Sequence, residues 1–189
     1  MSAVDQLFGR RTVLLATTFD DAAASRAAAE LMTLDALGDD HIDLWINSTG
    51  GTFDDALTVV DVIDLLAVPV HATCLGRADG PVLGVLAVAD HRAATPHAHL
   101  RFDAPSTRVS GRVDEVVIAA GALRGRRADF CTRVAHAVGQ APEWVDAVLR
   151  DRRAFAPVEA VRAGLIDEIA APRAATVSPF PNLRRSGGL

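Results

Sequence analysis

The stretch Pro69–Gly84, PVHATCLGRADGPVLG, decides how the rest of the chain is read. A short apolar strand, Pro69 to Thr73, enters a glycine-rich turn, and an apolar helix-like run follows from Val82 to Ala89. A strand, a tight turn and a buried helix can present a nucleophile at a helix N-terminus. Here the turn holds no Ser, Thr or Lys, and its only Cys, Cys74, stands at the strand end. The scaffold of a catalytic turn is present without its catalyst.

Working outward, the same alternation repeats on both sides. Upstream, Thr12 to Thr17 reads as a strand, and Asp20 or Asp21 caps a helix to about Leu37 with Ala24, Ala27, Ala28, Leu31 and Leu34 on one face. His41 to Asn47 is a second strand, Ser48-Thr49-Gly50-Gly51 a tight turn, and Asp54 to Ala67 a helix with Val59, Val62, Ile63 and Leu66 at helical steps. Downstream, Arg92–Thr95 and His99–Asp103 are short strands, and Ser106 to Arg112 is a loop or an exposed strand. Val113 to Val138 is the longest helix, with Val116, Ala120, Leu123, Phe130, Val134 and Ala137 on one side and Gly139 ending it. Pro142 and Pro157 open short helices, and Leu165 to Ala170 is a last strand. Strands linked by short turns to helices predict a mostly parallel sheet with right-handed crossovers. Residues 1–10 read as a weakly structured lead, 11–170 as one domain and 171–189 as a tail.

Composition limits the functions on offer. At 189 residues, 50% hydrophobic and 23% charged, the chain has enough material for one well-packed α/β domain. There is no Lys, so all 19 basic residues are Arg, and the net charge of −5 argues against a nucleic-acid binder. Arg124, Arg126 and Arg127 form the densest basic cluster and read as a solvated helix face. Cys74 and Cys131 read as buried thiols, too few for a disulfide framework. His97 and His99 alternate near a strand and read as exposed polar residues, and the Cys and His spacing predicts no zinc site. No segment has the length of a membrane span or of a secretory core, so a cytoplasmic protein without membrane, nucleic-acid or cofactor partners is expected.

Four motifs in order carry a family likeness. Ile46-Asn47-Ser48-Thr49-Gly50-Gly51 resembles the INSPGG turn of the ClpP peptidase family, and Cys74-Leu75-Gly76-Arg77-Ala78 the start of its CMGQAAS motif. Phe102-Asp103-Ala104-Pro105 sits where that family has IHQP, and Gly164-Leu165-Ile166-Asp167 matches its GLID ending. The resemblance implies a ClpP/crotonase-like α/β fold with a handle made by the long helix. It also implies seven-membered rings stacked in pairs around a chamber and served by a Clp-type ATPase unfoldase.

The departures matter as much. The position matching the family's serine nucleophile is Gly80, the base histidine is matched by Asp103, and counting back from Gly164 puts the third triad member at Val148. The resemblance assigns the two oxyanion-hole N–H groups to Gly51 and to Pro81, which has no N–H. A triad needs a nucleophile, a base and a carboxylate that orients the base, and none of the three is present. A register shift recovers nothing, because no Ser lies between Ser48 and Ser106.

Two further differences concern binding. The strand matching the family's apolar docking cleft carries Asp43 beside Trp45, a charge that counts against an unfoldase loop docking there. Ser106 to Arg112 lacks the paired glycines usual in the handle strand. The expectation is a catalytically inactive ClpP-like subunit, acting in a homo-oligomer or in a mixed barrel with active ClpP paralogues. The alternative is an active Clp-type serine endopeptidase or another hydrolase using non-standard residues, with Asp79 and Asp103 as an acid–base pair. A crotonase-type module that holds acyl groups is a third possibility.

Overall fold

The alternation of apolar residues along the middle strands builds the sheet, and the computed structural model describes it through residues 3–106, 108 and 110–170. In chain order the elements are α1 (Ala3–Phe8), β1 (Thr12–Leu15), β2 (Thr18–Phe19), α2 (Asp21–Ala36), β3 (Ile42–Gly50) and α3 (Phe53–Leu65). There follow β4 (Val70–Asp79), α4 (Val82–Val88), β5 (His91–Ala94), β6 (His99–Arg101) and α5 (Val113–Val138). The chain then adds α6 (Pro142–Arg150), β7 (Ala154–Phe155), α7 (Pro157–Arg162) and β8 (Glu168–Ile169). Among the described residues the sheet runs β1-β3-β4-β5-β8, with β2 on β3, β6 on β4 and β7 on β6. Every pairing is parallel except β6 with β7. The expected mostly parallel sheet with flanking helices is therefore the observed fold.

Packing follows from the two periodicities. Along β3, Ile42, Leu44 and Ile46 are fully buried under helices, while Asp43 and Trp45 look outward and are half-buried. All seven residues of α4 are buried, including Gly84, where an added Cβ would lie 2.4 Å from the Phe130 ring of α5. The absence of a side chain there is what lets the two helices close. Asp20 caps α2 by accepting from the Ala23 N–H, and Thr52 and Asp55 form a reciprocal capping box at the start of α3.

α5 is anchored at one end only. Its C-terminal half buries Phe130, Cys131, Val134, Ala135 and Val138, while Val113, Val117 and Ile118 in the first turns are exposed. Of the helical face expected to be apolar throughout, only the second half meets the core. Two of the three clustered arginines are not simply solvated: Arg126 Nε lies 2.7 Å from Asp54 and Arg127 Nε 2.6 Å from Asp146.

Several expectations need correction. Residues 3–8 of the lead form a helix, α1. β3 continues through Ser48-Thr49-Gly50, and β4 runs five residues past Cys74 to Asp79, so both stretches read as turns are largely strand. Cys74 is consequently mid-strand. β7 was not expected; its two residues cap the far edge of β6. From Ser106 to Arg112 no regular element occurs among the described residues, and the tail at 171–189 lies outside them.

Candidate functional site

The long β4 changes partners partway, and that change creates the site. Its first half pairs β5 at His71–Cys74, and its second half pairs β6 at Arg77–Asp79. Between the halves, the register with β3 jumps from Ile46↔Cys74 to Ser48↔Ala78, so extra residues of β4 bulge out. The bulge is held by Asn47, whose side-chain oxygen accepts from the Arg77 N–H at 3.2 Å. Gly76 makes room for it, since a Cβ there would meet Asn47 Oδ1 at 2.7 Å.

β4 stops at Asp79, just before Gly80, which has φ +91° and donates its N–H to the Arg101 carbonyl at 2.9 Å. A Cβ at Gly80 would stand 2.9 Å from the Gly50 carbonyl oxygen, and the backbone conformation itself favours glycine. Pro81 then occupies the N-cap position of α4. Opposite, Gly51 has φ +87°, and a Cβ would overlap the Phe19 ring at 2.4 Å. Gly51, Gly80, Pro81 and Asp103 line one cleft of about 600 Å³. Four of the five positions assigned by resemblance are thus brought together.

The fifth is not. Val148 lies on α6, is 4% exposed and belongs to the hydrophobic core. The residue that reaches the cleft from this part of the chain is Arg152, four residues later, with its Nε 3.2 Å from Asp103 Oδ1. The spacing counted back from Gly164 missed by one helical turn, and a core-facing valine took the place of a cleft-facing arginine. Arg152 sits just past the end of α6 with φ +51°, a left-handed conformation that turns its side chain out of the helix.

A network of charge fills the cleft floor. Asp79 is 3% exposed and is the hub: Oδ1 lies 2.7 Å from His99 Nδ1, Oδ2 accepts from Arg77 Nη2 at 3.0 Å, and Arg101 Nη2 lies 3.9 Å away. The same Arg101 nitrogen is 3.6 Å from Asp103 Oδ2. A carboxylate this deeply buried is tolerable only when so partnered. The two acids do approach each other, as the acid–base alternative requires, but a guanidinium stands between them. Sequence reasoning missed Arg77, His99, Arg101 and Arg152. The period-two spacing Arg77-x-Asp79 and His99-x-Arg101-x-Asp103 on adjacent strands was the available signal.

Among the described residues, no hydrogen bond joins a hydroxyl or thiol to a histidine. His99 pairs with Asp79 and meets no hydroxyl among the described residues. Ser48 is buried and donates to the Thr17 carbonyl, and Ser106 lines the cleft with Asp103 and Arg152 as the charged groups at that end. Burial pushes the Cys74 thiol up to about 12, and Cys131 up to about 11, so neither supplies thiolate near neutral pH.

Comparison with known proteins gives a consistent answer. The Clp protease family model matches residues 1–173. The ATP-dependent Clp protease proteolytic subunit 1 of Nocardia farcinica is 31% identical over 170 residues, covering 88% of this chain and 86% of that protein. Proteolytic subunit 3 of Streptomyces coelicolor is 30% identical over 186 residues, covering 97% and 85%. A second Nocardia farcinica protein, proteolytic subunit 3, is 28% identical over 170 residues, covering 87% and 77%.

Proposed function

The chain belongs to the Clp protease family, and from that premise we propose that it is a catalytically inactive proteolytic-subunit homologue that works by assembly. The observation that carries this reading is the pairing at the cleft floor. Gly80 faces an Asp103–Arg152 ion pair where acyl transfer needs a hydroxyl beside an imidazole. Pro81 removes a second requirement, since it offers no N–H to a developing oxyanion, and losing one such donor alone costs about 10²–10³ in rate. In this reading the chain enters a ring-shaped Clp-type barrel, with its own copies or with active paralogues. There it changes how many subunits cut and where an unfoldase sits. Two differently numbered proteolytic subunits of one organism match this chain, which supports a setting with several paralogues. Asp43 puts a carboxylate on the open sheet face, which supports weak or absent docking of an apolar unfoldase loop on this subunit.

Two measurements test it. The purified protein is expected to give no fluorophosphonate adduct and no cleavage of fluorogenic peptides; a labelled serine overturns the inactive reading. Co-expression with an active proteolytic subunit and native mass spectrometry is expected to give particles containing both chains. A strictly monomeric protein that captures no subunit overturns the assembly reading. One observation favours a hydrolase with non-standard residues instead, namely the 2.7 Å contact between His99 and the buried Asp79. That version requires turnover that His99→Ala abolishes.

A further inference from the structure

Away from the cleft, the open face of the sheet gathers a second cluster. We propose that His41, Asp43 and His71 form a binding site for a divalent transition-metal cation of the zinc class. The three residues each offer one ligand atom, and these atoms lie within 4.8 Å of one another. Sequence spacing concealed the group because it spans two strands: Asp43 and His71 are register partners across β3 and β4, and His41 immediately precedes β3. The two imidazoles already face each other, with ring centroids 4.2 Å apart and planes 20° from parallel.

The backbone under these side chains is fixed. Arg11 donates to the carbonyls of His41 at 3.3 Å, Asp40 at 2.6 Å, Gly38 at 3.1 Å and Leu34 at 2.8 Å, locking the loop that presents His41. The Ile42 N–H donates to the Pro69 carbonyl, and the Asp43 N–H to that of Arg11, both at 2.9 Å. The side chains above are free to close: His41 is 50% exposed and Asp43 39%, with His41 Nε2 3.8 Å from Asp43 Oδ1. Ligands of a tetrahedral zinc stand roughly 3.3 Å apart, given bonds of about 2.0–2.1 Å. Small side-chain rotations bridge the difference, and water has access to the remaining position.

The donor set selects the ion. Two imidazole nitrogens and one carboxylate oxygen suit zinc, cobalt, nickel or copper, whereas magnesium and calcium prefer all-oxygen shells. His91 is turned toward β8, 3.6 Å from Glu168 and 4.0 Å from Asp167, and is not assigned as a ligand.

The test uses the full chain freed of metal by chelation. Calorimetric titration with Zn²⁺ is expected to show one saturable site per chain, and Co²⁺ to give visible absorption of a low-symmetry nitrogen–oxygen site. His41→Ala and His71→Ala should each weaken binding about tenfold or more, while His91→Ala and His97→Ala leave it unchanged. His71→Gln, which keeps a polar side chain of similar reach, serves as a second variant should His71→Ala not fold. Absence of saturable Zn²⁺ binding overturns the proposal. So does an unchanged titration in the His41 and His71 variants, or loss of binding in His91→Ala alone.

Discussion

Asp79 and Asp103 carry the same charge, share Arg101 and line the same cleft, yet burial separates their roles. Asp79 is 3% exposed and accepts two short polar contacts; Asp103 is 27% exposed and meets two partly solvated guanidinium groups. Removing Asp79 takes away the carboxylate that Arg77 and His99 share, and leaves Arg101 with Asp103 alone. Asp79→Ala is therefore expected to cost about 2 kcal/mol in chemical denaturation, and Asp103→Ala under about 1 kcal/mol. Equal losses would mean the network is held mainly from the exposed end. Gly80 poses a different constraint. Gly80→Ser restores a hydroxyl to the turn, but it forces a side chain into φ +91° and within 2.9 Å of the Gly50 carbonyl. The expected result is a loss of about 1–3 kcal/mol with no gain of peptide cleavage, because the facing groups are Asp103 and Arg152. Cleavage by that single variant would show that the chain supplies a base from elsewhere.

Elements transmit these residue effects through a few rigid joints. Arg92, at the start of β5, donates to the carbonyls of Ala87 and Ala137 at 3.3 Å and of Gly164 at 2.8 Å. It also forks onto Asp167, tying α4, α5 and the last strand together. Burial works to raise the Asp167 pKa, but hydrogen bonds from the Arg92 side chain and backbone outweigh it and hold the carboxyl below its ordinary 3.8. A lowered carboxyl pKa stabilises the folded state above the unfolded value and loses that contribution as pH falls through the folded one. The acid limb of the stability profile should therefore flatten below about pH 4 in Asp167→Asn relative to the parent; superimposable limbs would remove Asp167 from the linkage. In the sequence Gly164-Leu165-Ile166-Asp167 stood out only as a family motif, and its partner Arg92 carried no signal of its own, so the joint between them was not legible. The same contrast runs through the fold. α2, α3 and α5 were legible from caps, end signals and helical spacing, and α4 from its unbroken apolar run, since those signals are local. The length of β4 was not, because Gly76 and Gly80 look alike in sequence and only tertiary pairing with β6 decides that the first continues a strand and the second ends it. Arg152 was hidden for a related reason: which residue after a helix turns into a cleft depends on where the helix stops, here at Arg150.

The whole molecule is lopsided, and the imbalance lies in α5. Its second half is welded to α3 and α4: Arg133 forks onto Asp64 at 2.8 and 2.5 Å, and Phe130 fills the space left by Gly84 and packs against Phe53, with ring centroids 5.1 Å apart and planes tilted by 47°. Gly84→Ala replaces a poor helix former with the best one. It should nevertheless lower stability by about 1–3 kcal/mol, since the core there has no room. Phe130→Leu in the same chain should recover part of the loss, which a melting comparison of the single and double variants reads directly. The first half of α5 has no such support. Val113, Val117 and Ile118 are 82%, 61% and 73% exposed, an arrangement that a surface helix leaves apolar when something covers it. If the proposed assembly is right, these turns are where copies or paralogues meet. Ile118→Asp should then shift the particle toward smaller species in analytical ultracentrifugation, without changing the monomer's melting temperature, because the residue touches no core. Unaltered sedimentation in Ile118→Asp and Val117→Asp would place the contact elsewhere on the molecule.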